Sequence, residues 1–160
     1  FAQQQGVLWR PHAKLHKSAH IAHLLEHAGA IGHCVQKASE AEALAAGGIT
    51  NIFISNEVIA PGKLARVAAL AKALNAQGGR LAICVDSEEG ITRLAQAMQD
   101  AQAGDAAIDV LVEINVGQNR CGVEPGVDAV LLINTIKPHA SLRFAGLPGN
   151  GVQSAGSACT

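Results

Sequence analysis

Short apolar runs rich in branched residues alternate along the chain with longer alanine-rich segments whose apolar positions recur every three or four residues. This alternation predicts repeated βα units. Strands are expected at 7–10, 31–36, 51–55, 81–86, 109–115 and 142–147, and helices at 18–28, 39–46, 61–76, 87–101 and 125–136. Several helices carry start signals: Ser39 precedes Glu40 and Glu42, Pro61 suits a first helical turn, and Ser87 is followed at once by Glu88 and Glu89. The runs at 52–54 and 110–114 are nearly continuous in apolar residues, as expected of parallel strands covered by helices. The fold class is therefore α/β.

An open doubly wound sheet and a closed (β/α)8 barrel share this alternation, and six strands do not choose between them. The chain has no GxGxxG after its first strand and no GxxxxGK[ST], which removes the usual nucleotide-binding reasons for an open sheet and favours the barrel. In either architecture functional groups collect at the carboxyl ends of the strands. Those ends read Arg10 to Lys17, Ser55-Asn56-Glu57, Asp86-Ser87, and Glu113 through Asn119-Arg120-Cys121-Gly122, so polar groups gather on one rim.

Composition narrows the function classes. A length of 160 residues with 49% hydrophobic content suits one globular unit with a buried core. The net charge of -1, from 12 basic and 13 acidic residues, leaves no footprint for nucleic acid. The four cysteines, Cys34, Cys84, Cys121 and Cys159, form no CxxC pair, which suggests reduced thiols and a cytoplasmic setting. No run of about 18 apolar residues suggests a membrane span, and no signal peptide is evident in a chain that begins at Phe1.

Lys14 lies just past a strand end with Arg10, Lys17, His12 and His16 nearby in sequence. Partial burial and neighbouring cations lower a lysine's pKa and free its amine for Schiff-base chemistry; a solvated loop lysine is the plain alternative. His12 and His16 suit proton transfer near neutral pH, or simply a polar loop. His16, His20, His23 and His27 recur at intervals of four, three and four along one helix face, where a metal pair is conceivable but a wet surface is simpler. Arg120, after the Val116-Gly117 turn, could offer a guanidinium to a carboxylate or phosphate, or lie on the surface. Glu113, inside an otherwise apolar strand, needs a partner or a place in the barrel mouth.

The segment Arg10-Pro11-His12-Ala13-Lys14-Leu15-His16-Lys17-Ser18 resembles the RPHxKTHK segment of the D-threonine aldolase and D-serine dehydratase family. The likeness continues through Cys34-Val35-Gln36, Ser55-Asn56-Glu57-Val58, Cys84-Val85-Asp86, Val112-Glu113-Ile114-Asn115-Val116-Gly117, Asn119-Arg120-Cys121-Gly122-Val123 and Leu142 to Leu147, in register from about residue 6 to 147. The resemblance implies a pyridoxal 5'-phosphate (PLP) enzyme with an alanine-racemase-type N-terminal barrel. It implies Lys14 as the Schiff-base lysine, Arg120, His12 and Arg10 as cofactor neighbours, and Gln118 and Glu113 beside the substrate.

The resemblance further implies a lyase acting on a small β-hydroxy D-amino acid. Ser55-Asn56-Glu57-Val58 points first to a D-serine or 3-hydroxy-D-aspartate dehydratase; a D-threonine aldolase, a PLP carrier without turnover and an inactive fragment are the alternatives. Leu15 stands where the family usually has Thr, and Asn115 where it usually has Asp. After Leu147 the likeness stops: Pro148-Gly149-Asn150-Gly151 replaces a QAYHG-like segment, and the chain has no tyrosine. The expectation is therefore a partial TIM barrel over residues 1–147, truncated relative to the family, and a divergent, disordered tail over 148–160. The zinc or manganese ligands and the homodimer of full-length relatives are implied by parts of the family that have no counterpart in this sequence.

Overall fold

The computed structural model describes residues 2–149, apart from the side chain of Gln3. A single 3-10 turn, Gln3–Gln5, precedes five alternating units: α1 (Ala19–His27), β1 (His33–Val35), α2 (Ala38–Ala46), β2 (Asn51–Glu57), α3 (Pro61–Ala76), β3 (Arg80–Val85), α4 (Glu88–Asp100), β4 (Ile108–Val112), α5 (Val127–Ile136) and β5 (Leu142–Gly146). The strands form one parallel sheet in chain order, β1-β2-β3-β4-β5. The fold is α/β, a partial barrel.

Strand alternation explains the layering. Ile52 and Ile54, Leu81, Ile83 and Val85, and Ile108, Val110 and Val112 are buried among Leu44, Leu64, Val67, Leu74, Ile91, Leu94, Met98, Leu132 and Ile136. The intervening residues turn to the opposite face: Asn51, Phe53 and Ser55; Arg80, Ala82 and Cys84; Asp109, Leu111 and Glu113; Arg143 and Ala145. One face is thus aliphatic and the other carries the chemistry.

Helix starts follow local signals in part. Ser18 caps α1 by accepting from Ile21 N, Ser87 caps α4 by accepting from Gly90 N, and Pro61 opens α3. Helix α2 starts one residue before the expected Ser39. Lys37 occupies its cap position without a side-chain cap bond, and the Glu40 carboxylate accepts from Gln36 N, just before the helix, at 2.9 Å. Helix α5 begins at Val127 rather than 125, because Gly126 at φ +110 breaks the helical path.

The strand expected at 7–10 does not form, so the described residues hold five strands rather than six. The segment does run beside β1, through Ile31 N to Trp9 O at 3.1 Å, Cys34 N to Pro11 O at 2.9 Å and Ala13 N to Cys34 O at 2.8 Å. Only His12 and Cys34 make a ladder bridge. Pro11 has no N–H for the adjoining rung, and Val7 and Leu8 are exposed, so neither pairing nor burial extends it. At the other end, Pro148 accepts from Ile114 N at 2.9 Å and Gly149 bridges Ile114. The remainder of the expected tail, 150–160, lies outside the described residues.

Candidate functional site

At the carboxyl end of the sheet, the turn after the edge segment carries His12 and Lys14. The Lys14 backbone N–H donates to His12 Nδ1 at 3.2 Å, and His12 Nε2 meets Ser55 Oγ at 3.1 Å. Ser55 donates onward to the Val35 carbonyl at 3.2 Å, which leaves its oxygen to accept from His12. Donor accounting therefore assigns the neutral Nε2–H form to His12. Burial, then the Lys14 charge, hold its pKa below the ordinary imidazole value, consistent with that form. Lys14 is exposed and its amine meets no carboxylate among the described residues, whereas Lys17 is taken by Glu40 at 3.5 Å.

Three further strand ends meet beside this turn. Glu57 pairs in register with Cys84, and Glu113 N bonds to Val85 O at 2.9 Å, which brings the ends of β2, β3 and β4 to one level. Donor atoms of Glu57, Glu113 and Cys121 lie within 4.8 Å of one another, and Cys121 Sγ donates to Glu113 Oε1 at 3.0 Å. Glu113 is only 3% exposed, and Glu57 Oε1 is buried without a hydrogen-bond partner. Burial and the facing Glu113 carboxylate push the Glu57 pKa up to about 7, so a proton shared by the two acids is the state that leaves the pair least strained near neutrality. Burial and the same carboxylates raise the Cys84 and Cys121 thiols, which stay protonated. Two carboxylates and a thiol are also a donor set for a borderline divalent cation.

The loop after β4 is ordered by Asn115, whose Oδ1 accepts from Gly117 N and Asn119 N at 3.1 Å each, and whose Nδ2 reaches Asn119 Oδ1 at 2.8 Å and Glu124 Oε1 at 3.0 Å. The amide at the position where an acid was usual thus donates two bonds a carboxylate could not. Gly122, at φ +89, returns the loop against backbone atoms of 113–115 and donates to Asp86 Oδ2 at 3.2 Å. Arg120 and Gln118 project from this loop into solvent.

Of the expected site residues, His12 and Lys14 share the turn, Glu113 is in the acid pair, and Gln118 and Arg120 lie on the loop above that pair. Arg10 lies away from that turn. Its guanidinium bonds Asn51 Oδ1 at 2.9 Å, at the start of β2 and the opposite end of the sheet from Lys14. Four residues of extended chain, at about 3.3 Å each, separate the two along the edge segment. The sequence put Ser55, Glu57 and Cys121 among the polar strand ends but gave them no individual role in the site; the register of the strand ends brings them there. The histidine stripe is structural: His23 Nε2 bonds the Gly47 carbonyl at 2.8 Å and His27 Nδ1 lies 2.7 Å from the His23 carbonyl.

This arrangement is that of the alanine racemase N-terminal domain, and residues 10–155 match that family, to which the chain belongs. Its relatives include a D-threonine aldolase of Arthrobacter sp, 43% identical over 147 residues, and a 3-hydroxy-D-aspartate aldolase of Paracoccus denitrificans, 36% identical over 148. Each match covers 92% of this chain and 37% or 36% of the relative, so the chain spans little more than a third of their length. Among solved structures, the D-threonine aldolase from Filomicrobium marinum superposes with a TM-score of 0.83 at 49% identity, covering 91% of this chain and 37% of that one. The D-threo-3-hydroxyaspartate dehydratase from Delftia sp. HT23 follows at 0.70 and 30%, covering 92% and 37%. Alanine racemase from E.faecalis, at 18% identity and a TM-score of 0.74, supports the fold alone. No described helix is long and apolar enough to cross a membrane.

Proposed function

We propose that this chain supplies the lysine end of a PLP-dependent lyase acting on β-hydroxy D-amino acids. The observation that carries the reading is Lys14: an accessible primary amine without an acidic partner among the described residues, on a turn oriented by a neutral histidine, at the carboxyl rim of an alanine-racemase-type sheet.

The residues present fit the cofactor's chemistry. Lys14 Nζ would hold PLP as a Schiff base, and Arg120 and Gln118, on the loop ordered by Asn115, would hold the polar edge of cofactor or substrate. When bound, PLP supplies an electron sink for breaking a bond at the α-carbon of an amino acid. His12 keeps the turn in place: its Nδ1 accepts from the Lys14 backbone N–H, and its Nε2–H donates to Ser55 Oγ. The Glu57 and Glu113 pair would hold a proton at the same rim near neutral pH.

Aldol cleavage has more support than dehydration. The D-threonine aldolases are 43% and 49% identical to this chain and the dehydratase 30%. Ser55 and Glu57, which pointed to a dehydratase in the sequence, are engaged with His12 and Glu113 and so do not discriminate the branches.

The test is covalent trapping. The protein is incubated with PLP, reduced with borohydride and digested, and the modified lysine is found by mass. Label on Lys14, lost in Lys14→Ala, is the expected result; label spread equally over Lys17, Lys37, Lys63 and Lys72 overturns the assignment. Acetaldehyde from D-threonine or pyruvate from D-serine would then identify the branch.

A further inference from the structure

The helix-covered side of the sheet holds two imidazoles that the proposed lyase chemistry does not use. His33 opens β1, is fully buried, and directs Nε2 to the Ala22 carbonyl of α1 at 3.1 Å. A carbonyl only accepts, so Nε2 carries the proton and the neutral ring leaves Nδ1 as a bare acceptor. Burial lowers the His33 pKa, aided by the His16 and Arg10 charges and opposed by Glu26, 3.9 Å from Nε2, so the ring stays neutral near pH 7. His16 belongs to the turn that carries Lys14. Its Nδ1 accepts from Ser18 N, the cap residue of α1, at 3.1 Å, so its neutral ring carries the proton on Nε2.

His16 Nε2 and His33 Nδ1 are both buried without a hydrogen-bond partner among the described residues. One is an unspent donor and the other an unspent acceptor, so each offers what the other lacks. Both atoms are enclosed by the described residues, and chain beyond them reaches neither without displacing a neighbour. Their pairing therefore does not depend on how the barrel continues.

We infer that His16 is a positioning residue for Lys14: its Nε2–H hydrogen-bonds His33 Nδ1 and ties the Lys14 turn to the buried start of β1. Closing this bond takes a small reorientation of the two rings, whose terminal torsions are soft, about the contacts that their other nitrogens keep. The turn needs such a tie. Lys17 N donates to the Ala13 carbonyl at 2.8 Å within the turn itself, and the Lys17 pair with Glu40 is made by a largely exposed amine. His12 anchors one side of Lys14 to Ser55 on β2, and His16 anchors the other side to β1. The hydrogen bond stands on its own; its consequence for cofactor attachment rests on the Lys14 reading above.

Heteronuclear NMR of the full chain at neutral pH tests the bond directly. His16 and His33 should both show the Nε2–H tautomer, with a slowly exchanging His16 Hε2 proton that cross-relaxes with the His33 ring. Two variants then separate the Nδ1 contact from packing. Gln places an amide nitrogen near the Nε2 position of His, and Asn an oxygen near the Nδ1 position. His33→Gln therefore keeps the bond to Ala22 and loses the acceptor for His16, whereas His33→Asn does the reverse. Amide exchange at Lys17 and Ser18 should quicken about fivefold in His33→Gln, the worth of one ordinary hydrogen bond, and stay within about twofold of native in His33→Asn. Borohydride-trapped PLP on Lys14 should fall in the same order. A packing role alone predicts the reverse order, because His33→Asn loses the Ala22 contact. An Nδ1–H tautomer at His16, a rapidly exchanging His16 Hε2, or amide exchange that is equal or reversed between the variants would overturn the inference. Should either variant fail to fold, the tautomer and proton exchange of the native rings decide alone. Native protein that takes no PLP on Lys14 while the amide order holds would sink the lyase reading and leave the tie to β1 standing.

Discussion

Replacing Glu57 by Gln should make the protein more stable at alkaline pH and remove a specific slope from its pH profile. In the native rim Glu57 stays protonated up to about 7, against 4.5 for the ordinary side chain, because burial and the Glu113 carboxylate disfavour its charge. Between those two values the unfolded chain has released a proton that the folded chain retains, so stability falls as pH rises through this window. The interval, at about 1.4 kcal/mol per pH unit, sets a ceiling of roughly 3 kcal/mol; partial contact of Glu57 with solvent reduces the expectation to about 1–2 kcal/mol. Gln has the shape of the protonated acid and its amide can donate to Glu113, so the variant keeps the contact without the titration. Urea denaturation at pH 4, 5, 6, 7 and 8 measures this directly. The difference between variant and native stability should be small at pH 4 and grow to about 1–2 kcal/mol by pH 8. Other titrating groups, His12 and His33 among them, act alike in both proteins and cancel. A difference that is flat with pH would show that Glu57 and Glu113 do not share a proton.

Gly122→Ala should cost more than about 2 kcal/mol in urea denaturation, because a left-handed alanine is strained by about 1–2 kcal/mol and its Cβ would lie 2.8 Å from Asn115 N and Ile114 C, backbone atoms that cannot rotate away. Leu94→Ala, at a side chain 1% exposed, should cost about 2–5 kcal/mol, while Leu15→Ala, 90% exposed, should stay within about 0.5 kcal/mol in the same assay. His33 is fully buried, donates through Nε2 to the Ala22 carbonyl at 3.1 Å, and has a pKa depressed by burial, so its contribution is present above the ordinary value of 6.5 and lost as pH falls below it. An NMR titration of the His33 ring should give a midpoint below 6.5; a midpoint at or above it would contradict the burial.

The layering was legible in the sequence because strand residues alternate. Ile108, Val110 and Val112 interleave with Asp109, Leu111 and Glu113, and the helical segments supply aliphatic residues at matching intervals. What failed to show was set by pairing rather than by composition. Pro11 sits in a segment whose residues suit a strand, yet its missing N–H stops the ladder, and that loss becomes visible only when the partner β1 is in place. Arg10 and Lys14 are four residues apart, close enough in sequence to suggest one site, but an extended chain rises about 3.3 Å per residue, which carries them to different ends of the sheet. Glu57 and Cys121 were inconspicuous because their neighbours in space come from β4 and from the loop that Gly122 folds back.

This separation gives the two ends of one sheet face different electrostatic tasks. At the carboxyl end, Glu57, Asp86 and Glu113 concentrate acid groups under a loop bearing Arg120, so the balance of charge there is adjusted by a proton on the carboxyl pair near pH 7. At the amino end, three arginines outnumber one aspartate among the described residues, and guanidinium groups do not release protons at any physiological pH, so the charge there is fixed. The layer between them is neutral, with Phe53, Ala82, Leu111 and Ala145 separating the two charged groups along the strands. A neutral layer of this kind permits a titrating acid pair and a permanently cationic cluster to coexist on the same strands. Exchanging Asp109 for an uncharged residue would raise the excess at the amino end to three, whereas changing Glu57 or Glu113 would act at the Lys14 rim alone.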